Sequence, residues 1–166
     1  ALAEAKGTDG LLLLDAICVG YEVGNRIAAA VNPAHYAHWH TTATVGHFGA
    51  AAAAGRILGL DAERLAHAFA RDATLAAGLR HAFSADAMAK PLHAGRAAEA
   101  GVLAALASRE GLTGVGDMLD GDRGFAKAMA SDVSWPAVMQ SLGDDWTIER
   151  TTPKAHACCG HCFAPL

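Results

Sequence analysis

Five consecutive alanines, Ala50 to Ala54, lie between Gly46, Gly49 and Gly55, and this run constrains the fold of the chain most. Alanine is the strongest helix former. A helix with almost no side-chain bulk is stabilised only by neighbours that approach its backbone closely. The run therefore predicts a helix over residues 42–58, ended by Gly59, at the centre of a helical domain. The flanking segments fit that role. Thr8 and Asp9 can cap a helix over residues 10–31, which Asn32-Pro33 ends, because the residue before proline avoids helical geometry. Asp61-Ala62-Glu63 opens a third helix with acidic groups at its positive end, and Leu65, Ala68, Phe69, Ala73 and Ala76 follow at helical spacing. Gly78 ends it, and residues 80–89 read as a loop or short turns. A fourth helix starts at Lys90 and runs to Ser108 or Glu110, with Gly111 as the C-cap. Short helical pieces are expected over 125–130 and 135–142. The one strand expected is Trp146-Thr147-Ile148-Glu149-Arg150. The fold class is all-α, with residues 1–143 in the helical domain and a boundary near residue 144.

Composition excludes several functions. The 166 residues carry a formal net charge of −4 and no basic run, which argues against a broad nucleic-acid surface. Leu11-Leu12-Leu13-Leu14 opens an apolar stretch, but Asp15, Glu22, Asn25 and Arg26 interrupt it before a membrane span of ~20 residues is reached. No basic-apolar export signal stands at the start, and a cytoplasmic location is the expectation. Only 18% of residues are charged, against a usual ~25%. Some of the surface is therefore expected to be covered, by a second copy in a homodimer or by further chain. Residues 111–116 are glycine-rich but lack a phosphate-binding lysine, so no nucleotide cofactor is expected.

Polar chemistry collects at two helix starts. His38-Trp39-His40-Thr41-Thr42 runs directly into the alanine-rich helix. Thr41 or Thr42 can cap its free N–H groups. The positive end of the helix favours anions and disfavours an imidazolium, which leaves His40 as a neutral base near pH 7. Lys90-Pro91-Leu92-His93 repeats the arrangement: Pro91 suits the first helical position, Lys90 sits at the cap, and His93 lies in the first turn. A cation beside free helix N–H groups is a seat for carboxylate or phosphate. His40 and Lys90 are the candidate catalytic residues and are expected to face one cavity, with Thr41, His38 and His93 as substrate-binding candidates. The competing reading is two capped helices whose histidines only pack or are solvated.

Cys18 lies in an apolar helix and is expected to be a buried, inert thiol. Cys159-x-x-Cys162 has the spacing of half a zinc site, and His156 or His161 could complete one, but no second cysteine pair exists. No metal and no disulfide are expected.

Three segments resemble one family. His40-Thr41-Thr42-Ala43-Thr44-Val45-Gly46 through Gly59-Leu60, then Lys90-Pro91-Leu92-His93-Ala94-Gly95-Arg96-Ala97-Ala98, are similar to the MmgE/PrpD family. That family includes 2-methylcitrate dehydratases, cis-aconitate decarboxylases and an iminodisuccinate epimerase. Lys154-Ala155-His156-Ala157-Cys158-Cys159 resembles the motif that opens the family's second domain, with Ala155 and His156 where a proline and an aromatic residue are usual. The resemblance implies a helical domain followed from residue 144 to 166 by the start of an α+β lid domain, a homodimer, and catalysis without metal or other cofactor. It also implies an incomplete chain, with segments before Ala1 and after Leu166. The substrate implied is a small di- or tricarboxylate, held by Lys90 and Lys154, with His40 as general acid or base. The first expectation is a 2-methylcitrate dehydratase-like hydro-lyase of propionate metabolism, the second an epimerase or racemase, the third a cis-aconitate decarboxylase. A non-catalytic helical module is the alternative of another class.

Overall fold

The computed structural model describes residues 1–84, 88–130 and 133–158, and all of its regular elements are helical. A short helix α1 (Leu2–Ala5) precedes α2 (Gly10–Val31). The Asp9 carboxylate accepts the Leu12 N–H at 2.9 Å, capping α2 as its sequence implies, and Asn32 ends it. After a 3-10 turn at His35–Ala37 come α3 (Thr41–Thr44) and α4 (Gly46–Leu58). These two replace the single helix expected over 42–58, with a one-residue turn at Val45 between them. Gly59 closes α4 in the left-handed conformation, φ 66°, which only glycine adopts without strain.

Helix α5 (Ala62–Leu75) is capped by Asp61, which accepts the Arg64 N–H at 2.8 Å. It stops before the expected Gly78, because Ala76 turns extended to carry the chain back across the domain. Helix α6 (Ala89–Arg109) follows, then α7 (Phe125–Met129) and α8 (Trp135–Met139). The strand expected over 146–150 is instead a 3-10 turn, Thr147–Arg150. Among the described residues there is no neighbouring strand to pair it. Buried Glu22 accepts the Thr147 N–H at 2.7 Å and curls the segment onto α2.

The alanine-rich α4 is central, packed against α2, α5 and α6. Phe48, Val31, Ile27, Val45, Ala76 and Phe125 form one core, and Ala51, Ala68 and Ala104 form a smaller one. Glycines set the closest approaches. A Cβ added to Gly101 on α6 would lie 2.5 Å from the His47 carbonyl oxygen and 2.6 Å from the Ala51 nitrogen. Both are backbone atoms of α4 and cannot swing aside. Gly101→Ala is therefore expected to destabilise the domain by about 1–3 kcal/mol, although it replaces glycine by a better helix former. Denaturant unfolding of the two proteins checks this; equal or higher stability would contradict the packing described. Among the described residues, no helix is long and apolar enough to cross a membrane.

Candidate active site

His40 is held by backbone before its side chain does anything. Trp39 and Leu79 form an isolated antiparallel bridge. Within it the His40 N–H donates to the Gly78 carbonyl, and the Arg80 N–H donates to the His38 carbonyl, both at 2.9 Å. The bridge keeps His40 extended (φ −82°, ψ 107°), so His40 becomes the N-cap of α3. This corrects the expected threonine cap. A side chain caps a helix only from the N-cap position, and Thr41 is already the first helical residue. The His40 carbonyl accepts the N–H groups of Ala43 and Thr44 at 2.8 and 3.2 Å. Gly78 is required where it stands: its φ is +142°, and a Cβ there would fall 2.3 Å from the Ala43 Cβ.

The start of α6 also differs from expectation. Met88 is the N-cap and Ala89 the first helical residue, so Lys90 lies inside the first turn and Pro91 one residue further. A proline is tolerated there because N–H groups of the first turn have no partner within the helix.

These two segments bring His40, His93 and Lys90 together. The His40 and His93 Nδ1 atoms are 2.9 Å apart, with both rings half-buried. At that distance one Nδ1 donates and the other accepts, so the pair cannot hold a proton on both facing nitrogens. The Phe83 ring packs edge-on to His40, centroids 4.7 Å apart, and the Lys90 ammonium sits 4.6 Å from the centre of the same ring. His40 and Lys90 thus both pack against the Phe83 ring. Burial first, then the neighbouring His93 and Lys90, hold His40 below its ordinary 6.5. The neutral form of His40 is thereby favoured over the charged one.

The remaining candidates are placed differently. His38 is exposed and lines an open groove with Arg80, His81, Phe83 and Ser84, so it adjoins the cluster across Phe83. Thr41 lines another groove, between α2 and α4, with Gly20, Gly24, Gly46 and Gly49. Lys154 is exposed in the segment beyond the last 3-10 turn. Cys18 is half-buried rather than buried, because part of α2's apolar face is open: Leu14 and Ile17 beside it are exposed. Cys159, His161 and Cys162 lie outside the described residues.

Several supporting residues escape a reading of the sequence. Phe83 sits in a short 3-10 turn (Arg80–Phe83) with no periodicity to mark it. His35 is fully buried, its Nε2 2.9 Å from the Thr44 Oγ1. That hydroxyl in turn donates to the Thr41 carbonyl at 3.2 Å, which ties the loop before His40 to α3. Burial pushes His35 below 6.5 and keeps it neutral. Asp72 and His47 face each other in the core at 3.6 Å, beyond hydrogen-bond reach. Burial raises the Asp72 carboxyl, and His47 and Arg71 offset only part of the rise.

Residues 1–137 match the MmgE/PrpD N-terminal domain. A cis-aconitate decarboxylase-like protein of Aspergillus oryzae is 31% identical, covering all of this chain and 37% of its own length. The human cis-aconitate decarboxylase is 35% identical over 90% of this chain and 31% of its own length. The Aspergillus terreus cis-aconitate decarboxylase is 28% identical over 98% of the chain and 35% of its own length. The chain therefore spans about a third of the length of these relatives. On the match over residues 1–137 and the identity to these relatives, the chain belongs to the MmgE/PrpD family.

Proposed function

We propose that the whole protein is a lyase acting on a small polycarboxylate, with His40 transferring a proton at the reacting carbon and Lys90 holding a carboxylate. The observation that carries this reading is the paired His40 and His93 imidazoles, 2.9 Å apart, sharing Phe83 with the Lys90 ammonium. An imidazole held neutral can remove a proton alpha to a carboxylate. A pair that takes up one extra proton can also return it to carbon. Dehydration uses the first step, together with an acid for the departing hydroxyl. Decarboxylation of an unsaturated tricarboxylate uses the second. The bond to the departing CO2 breaks, its electron pair shifts through the alkene, and the far alkene carbon takes the proton.

The relatives favour decarboxylation of a cis-aconitate-like acid, which the family resemblance in the sequence ranked third, behind dehydration and epimerisation. A 2-methylcitrate-type hydro-lyase is the second reading, since the same imidazole would serve it. The homodimer remains part of the proposal, supported by exposed Leu11, Leu14 and Leu92 on α2 and α6.

The test separates binding from chemistry. Lys90→Ala in the whole protein is expected to raise KM for the polycarboxylate more than it lowers kcat, because the carboxylate is charged before and during reaction. Steady-state kinetics on cis-aconitate and 2-methylcitrate decide it. A fall in kcat at unchanged KM would remove Lys90 from carboxylate binding.

A further inference from the structure

The groove beside Phe83 has no part in the mechanism above, yet its walls are built for an anion. It encloses about 520 Å³ and is lined by His38, Arg80, His81, Phe83 and Ser84. That volume falls within the ~300–1,000 Å³ of ordinary small-molecule sites. No carboxylate is among its described lining residues. Arg80 is exposed, and its side chain is oriented by Tyr36. Its backbone N–H donates to the His38 carbonyl at 2.9 Å, and its Nη1 donates to the Tyr36 carbonyl at 3.3 Å. Its guanidinium lies 4.6 Å from the centre of the Tyr36 ring. A guanidinium has five N–H donors in a rigid fork and is always charged. Tyr36 occupies one of them, and the others have no partner among the described residues. Phe83 borders this groove and also touches His40 and Lys90.

We propose that the Arg80 groove is a second carboxylate subsite, which seats a further carboxylate of the acid whose reacting end lies at Lys90 and His40. The inference rests on the polycarboxylate reading and extends it. Lys90 can pair with one carboxylate, and a planar fork beside Tyr36 can pair with another in bidentate fashion. The subsite would make the protein prefer tricarboxylates to dicarboxylates of equal chain length.

Calorimetric titration of the whole protein with two unreactive acids tests it. Tricarballylate carries three carboxylates, and glutarate is the same chain without the central one. Arg80→Gln is expected to weaken tricarballylate binding about tenfold, the loss of one charge-assisted pair, and glutarate binding much less. Lys90→Ala is expected to weaken both. If Arg80→Gln leaves tricarballylate binding unchanged, or weakens both acids equally, the subsite is refuted while the proposed function stands. If the wild-type protein binds neither acid, the polycarboxylate reading fails and the subsite with it.

Discussion

Replacing His40 with alanine in the whole protein is expected to lower kcat by about 10²–10⁴-fold, the usual contribution of one positioned proton-transfer group. The fold should survive. Everything that His40 contributes to the local backbone comes from main-chain atoms that alanine retains: its N–H to the Gly78 carbonyl and its own carbonyl to Ala43 and Thr44. The imidazole itself is half-buried and touches Phe83 and His93. The pH profile gives a second readout. Because His40 is held below 6.5, a rate that needs its neutral form is level near pH 7. That rate, which the proton removal of dehydration needs, falls as acidification carries the pH through the lowered value, whereas decarboxylation, which needs the protonated pair, rises there. The variant should lose that acid limb along with most of its rate. Unchanged circular dichroism with near-normal kcat would show that His40 only packs.

The largest stability effect is expected from Arg26→Ala, about 3–5 kcal/mol, because the change leaves a buried carboxylate without its cation. The Arg26 and Glu22 side chains are 10% and 6% exposed and pair along one face of α2. The Arg26 guanidinium also donates to the carbonyls of Val138, Ser141 (3.1 Å) and Asp145 (3.0 Å). The segment from α8 to the last 3-10 turn is thus tied to α2 through one side chain. Burial alone would raise Glu22, but the Thr147 N–H and Arg26 outweigh it, so the carboxyl lies below its ordinary 4.5. Its stabilising contribution is therefore present above 4.5 and is lost as pH falls through the lowered value. Without Arg26 the burial is no longer compensated. Denaturant unfolding should show the loss, and proteolysis should cut preferentially within residues 138–147. A change under about 1 kcal/mol would place this pair with ordinary surface ion pairs. Removing both charges, Glu22→Gln with Arg26→Met, should recover part of the loss.

Helix positions were legible wherever local chemistry decides them. Asp9, Asp61, Gly59 and Gly111 punctuate the chain by rules that need only neighbouring residues, and α2 spans the expected residues 10–31. The alanine run at the centre of α4 was legible for the same reason: a helix without bulk has no other stable place. What failed depends on contacts distant in sequence. His40 caps α3 because Gly78 and Leu79, nearly forty residues later, hold it extended. Residues 146–150 look strand-like by propensity, but Glu22, more than a hundred residues earlier, takes the Thr147 N–H and curls them. The candidate site was legible as residue types at two helix starts. Its wall was not, since Phe83 and Arg80 lie in a turn whose position is set by the bridge to Trp39.

Proton NMR of the whole protein incubated in D2O with cis-aconitate and, separately, with 2-methylcitrate tests proton transfer by His40 on a polycarboxylate. One of the two acids is expected to be consumed. If it is cis-aconitate, CO2 leaves and the product carries one solvent deuteron on the carbon that was the far end of the alkene. If it is 2-methylcitrate, water leaves and the alpha proton passes to solvent. A folded protein that consumes neither acid, or that consumes one equally well after His40→Ala, would contradict it.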